Sequence, residues 1–499
     1  MNPSCRSLIG LLLSVVLLPA TAPAREISDI DGSTITRFES PNRVIENCLR
    51  IPEILDGNYS KKDREKEEAF CAVDFYYENT ALCPKTWSTS PGTIVHLLDA
   101  NGFSGSAAEF EAEKCGGRSL SKFAKFKQTM NAQGTSGTFS QSSLVYYHLS
   151  RYFDADVFVP PSIYREMDRK VHLERVAKRG QQKTTSGMID AGWDHLVNAD
   201  YSPSSYKPMD ELFTDDQEKI YGIFIDGSGE RYGAVINGIR SAWGIPQNND
   251  FQETPAFTAL RTEEPLMEAI QKTLGNYGSY IQIKKSVQKN EATELEKALP
   301  DISAEQMVFW MSELSEIAIM DFILSQQDRI GNIDYKWYWY WIEDGKVERK
   351  REKSEVSRTR MSSLSVPADI AQYHPILLQR TQLNDNDAGT SHRYANFTKK
   401  TEMLEKIRHL RASVYRKLMH LNADFQNKGP LYIFITKNFG LSERDSAGII
   451  KNTQLARNIL NQSCKARKLR FDLEPEKFLT QSLAGQPIEV ESVVNCDSI

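Results

Sequence analysis

Ser325-Gln-Gln-Asp-Arg-Ile-Gly-Asn-Ile-Asp-Tyr335 is the stretch on which the fold turns. It joins two segments of different period. Upstream, Glu305–Leu324 carries Met307, Phe309, Trp310, Met311, Leu314, Ile317, Ala318 and Phe322. It is apolar on most sides, which predicts a buried central helix. Downstream, Lys336-Trp-Tyr-Trp-Tyr-Trp-Ile342 alternates as a strand, with Glu343-Asp-Gly345 as its turn. Farther on, the strand-like Ile376–Leu383 delivers Asn384-Asp-Asn-Asp-Ala-Gly389. Two acidic loops thus follow two ordered elements, with Asp328, Asn332 and Asp334 in the first and Asp385 and Asp387 in the second. An isolated Asp-Arg pair is most often a turn or helix cap. Two oxygen-rich loops in this order suit a hard cation such as Mg²⁺, which takes oxygen ligands in near-octahedral geometry.

The rest of the chain sets the context. Its 499 residues hold 61 Lys and Arg against 66 Asp and Glu, for a net charge of -5. So small a balance offers no global field for nucleic acid, and none is expected as a partner. Arg6, the apolar run Leu8–Leu18 and the small-x-small end Ala22-Pro23-Ala24 read as a signal peptide over residues 1–24. The expected location is periplasmic or secreted, or a secretory lumen, with no membrane span in the mature chain. Export leaves Cys48, Cys71, Cys83, Cys115, Cys464 and Cys496 in an oxidising compartment, where disulfides are expected. The pairing stays open, although the first four suggest a stapled region and the last two a clip on the tail.

Along the chain, residues 25–90 read as a polar, cysteine-containing extension with an exposed helix face at Lys61–Glu68. Residues 91–260 read as a sheet-containing N-lobe. Its strands are Thr93–Leu98 and Ser121–Lys127, followed by a Gly/Ser/Thr-rich loop at Asn131–Ser143, a helix at Leu144–Phe153 and an extended Val157–Ile163. Tyr221–Ile236 reads as a hairpin with a Gly-Ser-Gly turn, in preference to a phosphate-binding loop. Residues 261–470 read as a mainly helical C-lobe, with a solvated charged insertion at 346–366 and an amphipathic helix over Lys399–Gln426. A weakly structured tail is expected at 471–499. The Trp/Tyr stripe at 337–341 reads as sheet packing, and His148 as a packed histidine.

Helix, loop, strand, strand, acidic loop is the order of parts in the C-terminal lobe of protein-kinase-like enzymes. Gln327-Asp-Arg-Ile-Gly-Asn332 resembles the D-R-x-x-N-type catalytic loop of atypical kinases such as the phosphatidylinositol kinases. Leu383-Asn-Asp-Asn-Asp-Ala-Gly389 resembles their D-N-G-type metal loop. Tyr147–Phe153 followed by Val159-Pro-Pro-Ser-Ile163 is similar to the corresponding segment of the secreted casein-kinase family of the Golgi lumen. The resemblance implies an α+β, two-lobed protein-kinase-like fold with a mainly helical C-terminal lobe. It implies ATP and Mg²⁺ or Mn²⁺ as cofactors, and transfer to a hydroxyl of a protein, glycan or lipid. Under it, Asp328 resembles the catalytic Asp, with Arg329 as its loop partner. Asn332 resembles a metal ligand, with Asp334 as alternative, and Asp385 resembles the metal-binding Asp, with Asp387 as second choice. Lys127 resembles the phosphate-contacting lysine, with Lys125 as rival on the same strand face.

Two departures keep a second reading open. The acid that should pair the lysine falls near Gln141–Ser143, where there is none. The two loops are also far apart, which requires the charged insertion. A non-catalytic exported pseudokinase or envelope binding protein is therefore the alternative to a phosphotransferase, and a calcium-stabilised structural protein a third. AMP transfer is a variant of the first. The eight histidines form no metal-binding pair, and no nucleophile elbow occurs.

Overall fold

The computed structural model describes residues 30–116, 120–239, 242–285, 288–353 and 364–496. The expected signal peptide at 1–24 lies outside the described residues. Seven strands build the larger sheet: β1 (Thr34–Glu39), β2 (Ile45–Arg50), β3 (Thr80–Pro84), β4 (Thr93–Leu97), β5 (Ala124–Gln128), β6 (Ser162–Asp168) and β7 (Lys219–Ile225). Their order is β1-β2-β6-β7-β5-β4-β3, with every neighbour antiparallel. The cysteine-containing segment expected as an extension is thus part of this sheet, contributing β1, β2 and β3. Helix α1 (Lys61–Cys71) starts on a capping box between Ser60 and Asp63.

Three disulfides form. Cys48–Cys71 ties β2 to α1, Cys83–Cys115 ties β3 to a later loop, and Cys464–Cys496 ties the tail to a long helix over Glu443–Lys465. The N-terminal staples and the C-terminal clip are as expected.

Helix α2 (Gln141–Phe153) has every residue buried. It packs between the sheet and the helices of the C-terminal half, so it couples the two lobes. In that half, α3 (Ala304–Ile323) is buried continuously from Gln306 onward. Losing one of its large side chains, such as Phe322, would cost about 3–5 kcal/mol. Its few charged residues are satisfied: Glu313 meets Arg380 at 2.6 Å and Asp321 meets Arg329 at 2.9 Å. The second sheet holds β8 (Glu230–Arg231), β9 (Asp334–Glu343), β10 (Lys346–Arg351) and β11 (Ile376–Gln382), in the order β10-β9-β11 with β8 against β9. The α+β class with a sheet-bearing N-terminal lobe and a mainly helical C-terminal lobe is therefore observed. No helix among the described residues is long and apolar enough to cross a membrane.

Four expectations are corrected. Tyr221–Ile236 is not a hairpin: β7 pairs with β5 and β6, whereas β8 pairs with β9, so residues 226–229 link one sheet to the other. The charged insertion is not featureless, because its first six residues form the exposed strand β10, while 354–363 lie outside the described residues. The helix expected over Lys399–Gln426 is broken: Glu402 turns left-handed (φ 54°). Residues 408–410 run extended, exchanging backbone hydrogen bonds with Arg470, and helix α4 (Ala412–Gln426) begins afresh. The tail carries a helix, α5 (Pro475–Leu483), which packs against α3. The Trp/Tyr stripe is sheet packing, with Trp337, Trp339, Tyr340 and Trp341 buried. His148 is buried and hydrogen bonded to the Tyr59 hydroxyl at 2.5 Å.

Candidate active site

The two acidic loops lie side by side. Ser325 ends α3 in a left-handed turn (φ 51°), and the Gln327 N–H then donates to the carbonyl of Ala388 at 2.9 Å. Arg329 completes the join. Its guanidinium pairs with Asp321 from below, donates to the Asn386 side chain at 2.9 Å and to the Asp385 carbonyl at 3.2 Å. Arg329 is buried, so it holds the loops together and presents no group to a substrate. Tyr146 of α2 donates to the same Asp321 at 2.7 Å.

On this platform Asp328 stands half-buried. The Asn332 amide donates to its carboxylate at 3.0 Å and to its carbonyl at 2.7 Å. Burial, then the charges of Asp385 and Asp387, push its carboxyl up to about 6. The second loop faces Lys127 of β5, whose ammonium lies 2.7 Å from Asp387 and 3.3 Å from Asp385. Burial disfavours that ammonium, but the two carboxylates outweigh it and hold its pKa above the usual value. For Asp385, burial is outweighed in the same way by Lys127, Lys125, Lys85 and Arg231, and the carboxyl stays well below the usual carboxylate range.

The rival lysine has a different place. Lys125 Nζ lies against the linker, where a Cβ on Gly227 would strike it. A Cβ on Gly229 would come within 2.9 Å of Asn384 Nδ2 and 3.1 Å of Asp334 Cβ. Gly227 thus serves close approach to Lys125 and Gly229 close approach to the acidic loops, and neither sits in a hairpin turn.

Two residues were not singled out by sequence reasoning. Lys85, just after β3, is buried beside Lys127 and Lys125, and burial together with their charges pushes its ammonium down to about 7. Arg231 of β8 reaches into the cleft: it meets Asp334 at 2.6 Å and Asp385 at 3.0 Å, and also donates to Asn332 Oδ1 and the Gly331 carbonyl. Neither lies in a recognisable pattern; Lys85 follows a cysteine-proline pair and Arg231 sits in the segment read as a hairpin. At the position of the missing acid, Gln141 hydrogen bonds Tyr221 and Thr129, and the carboxylate partners of Lys127 come from the second loop instead.

Asp385, Asp387, Asn332 and Asp328 present hard oxygen donors, and Asp387 Oδ2 is buried against the Lys127 ammonium at 2.7 Å. That donor set fits Mg²⁺ or Mn²⁺ in kind. Among the described residues, no group of three or more His, Cys, Asp or Glu side chains is arranged as a metal site, and Lys127 and Arg231 supply the countercharge.

No protein-family model matches the chain, and no curated protein does. Among solved structures, the crystal structure of the Golgi casein kinase with Mn/ADP bound aligns at 10% identity and a TM-score of 0.41, over 83% of this chain and 79% of that one.

Proposed function

We propose that this chain is an exported, ATP- and metal-dependent phosphotransferase acting on a hydroxyl of a protein, glycan or lipid. The observation that carries this reading is the meeting of Lys127 with Asp385 and Asp387 directly beside the Asp328–Asn332 pair. A strand lysine of the large sheet meets a metal-type acidic loop, with a candidate base in the neighbouring loop. Asp328 orients the acceptor hydroxyl and takes its proton; its raised pKa suits that exchange. Lys127 and Lys125 contact the phosphates, while Asn332, Asp385 and Asp387 would hold the divalent cation, which neutralises charge on the transferring group when bound. Arg329 and Asp321 fix the geometry, and positioning plus electrostatics carry most of the rate. The three disulfides agree with export.

The test is a thermal melt with ATP and Mn²⁺ or Mg²⁺, repeated on Asp385→Ala, with transfer of labelled phosphate followed in parallel. A stabilising shift that Asp385→Ala abolishes is expected. No shift with any nucleotide or metal would count decisively against the reading.

A non-catalytic nucleotide-free module is favoured by one observation, the Arg231 guanidinium lodged between Asn332, Asp334 and Asp385. An internal cation there takes up the charge that a metal would otherwise balance. This reading requires the wild-type chain to be unresponsive to metal and nucleotide, with a metal response appearing only once Arg231→Gln removes the internal cation.

A further inference from the structure

A groove of about 1100 Å³ opens on another part of the molecule, between α1, the end of α2 with the loop that follows it, β9–β10 and the start of α5. None of Asp328, Asn332, Asp385 or Lys127 lines it. Its charge is divided. At one end Lys66, Lys336 and Arg351 come together, with Arg349 on the same strand. Farther along, Asp154, Glu474 and Glu476 stand among the cations Arg411 and Lys477.

The basic end carries more positive charge than the described residues balance. Lys66 has Asp226, at 3.5 Å. Lys336 has no carboxylate within ion-pairing distance among the described residues; its nearest named contact is the ring of Phe158, at 5.9 Å. Arg349 and Arg351 are exposed. Between the two ends Phe158 is 42% exposed, although Arg151 also lies 5.7 Å from its ring. Pro160, Pro161 and Pro475 complete an apolar wall. A partly desolvated lysine amid like charges gains most from an anion brought to it.

We propose that this groove is a docking site for an acidic peptide segment of a protein partner, its carboxylates at Lys336, Arg349 and Arg351 and its neutral part across Phe158. The size fits a chain in extended form better than an enclosed small ligand. The exposed Phe158 ring and the proline wall favour a peptide, which can lay neutral groups there, over a polysaccharide. A flat membrane surface does not enter a groove. The docking is independent of the phosphotransfer reading, since no residue of the cleft takes part.

The experiment uses the full disulfide-bonded chain and a fluorescein-labelled poly-glutamate peptide, followed by anisotropy. A poly-lysine peptide, a heparin oligosaccharide and phosphatidylglycerol vesicles serve as the other arms. Saturable poly-glutamate binding is expected, weakened at least about tenfold by Arg349→Glu/Arg351→Glu and weakened as salt rises. Both arginines are exposed, so the melting temperature should stay near wild type; Lys336→Gln gives a second variant, expected to weaken binding several-fold. The inference is overturned by absence of poly-glutamate binding, by binding that neither variant changes, or by binding of heparin or vesicles in preference to the peptide. Asp385→Ala should leave the anisotropy unchanged whatever it does to nucleotide binding.

Discussion

Lys127 and Asp387 lie 2.7 Å apart across the two lobes, one from the fifth strand of the large sheet and the other from the loop after the last strand of the small one. Both side chains are buried. Breaking such a pair from one side strands the other charge, at a cost of about 3–5 kcal/mol. Lys127→Met is therefore expected to destabilise the chain by that order and to remove any nucleotide-dependent shift. Among the described residues Lys125 has no ion pair that close; it stands against the linker, and Lys125→Met should cost less. Urea unfolding of both variants measures this, and a larger loss in Lys125→Met would reverse the assignment of the two lysines.

Arg231 offers the second prediction. It pairs with Asp334 and Asp385 at once, so Arg231→Gln leaves two carboxylates short of a partner. Without metal the variant should melt below wild type. With Mn²⁺ it should gain more than wild type does, because the internal competitor for Asp385 and Asn332 is gone; an affinity increase of about tenfold corresponds to about 1.4 kcal/mol. Isothermal titration with Mn²⁺ reads this directly. Identical metal affinities in the two proteins would mean that the guanidinium and the metal do not compete.

Lys85 tests the cationic wall. It is buried near Lys127 and Lys125 and makes no ion pair of its own among the described residues. Lys85→Met should therefore leave the melting temperature unchanged or raise it, because an unpaired buried ammonium is costly. It should weaken nucleotide binding several-fold, as read by the concentration dependence of the ATP shift. A nucleotide response equal to wild type would place Lys85 outside the phosphate site.

These residues also mark the limit of what sequence patterns disclose. Helix α3 and strand β9 were legible because eighteen consecutive buried positions and an aromatic alternation each leave a period in the chain. The grouping of Asp328, Asn332, Asp385 and Asp387 was legible because short loops after such elements keep their oxygen donors close in sequence. Lys85 and Arg231 were not: Arg231 reaches the site only through pairing with Asp334, far along the chain, and Lys85 through the β3–β4 pairing that sets it near β5. The linker at 226–229 was misread for a related reason. Glycines needed for close approach to Lys125 and Asn384 look the same in sequence as glycines needed for a tight turn. The break at residues 402–411 depends on a backbone exchange with Arg470, which no local pattern announces.

The Cys464–Cys496 bridge closes a loop of separation 32. The chain-entropy relation gives about 4 kcal/mol for a loop of that length. The bridge fastens the tail to the helix over Glu443–Lys465, far in sequence from both acidic loops. Cys464→Ser/Cys496→Ser is expected to lose a few kcal/mol in urea unfolding, while any nucleotide-dependent shift persists at temperatures below the lowered midpoint. Loss of the nucleotide response in a variant that still unfolds cooperatively would show that the tail supports the cleft.

The pH dependence of stability should carry the mark of Glu46. Its carboxyl lies in the core of the large sheet, receives the Asp168 N–H at 2.5 Å and the Tyr76 hydroxyl, and stands 3.9 Å from Arg165. Burial is the largest influence and, with the nearby Asp168 and Glu166 charges, overrides Arg165 and the Asp168 N–H, raising the pKa from 4.5 to about 8. The folded chain thus keeps a proton that the unfolded chain releases near 4.5. Its contribution is present in full below that value and is lost as pH rises toward about 8, because over this window the native state binds more protons. At about 1.4 kcal/mol per unit, the whole change is at most about 5 kcal/mol. Glu46→Gln removes the titration while keeping the shape, so the difference in stability, variant minus wild type, should climb between pH 5 and pH 8 and then level off. Unfolding curves at half-unit pH steps measure that difference. A difference that stays flat across the window would mean that Glu46 is already ionised in the folded protein, with Arg165 rather than burial deciding its state.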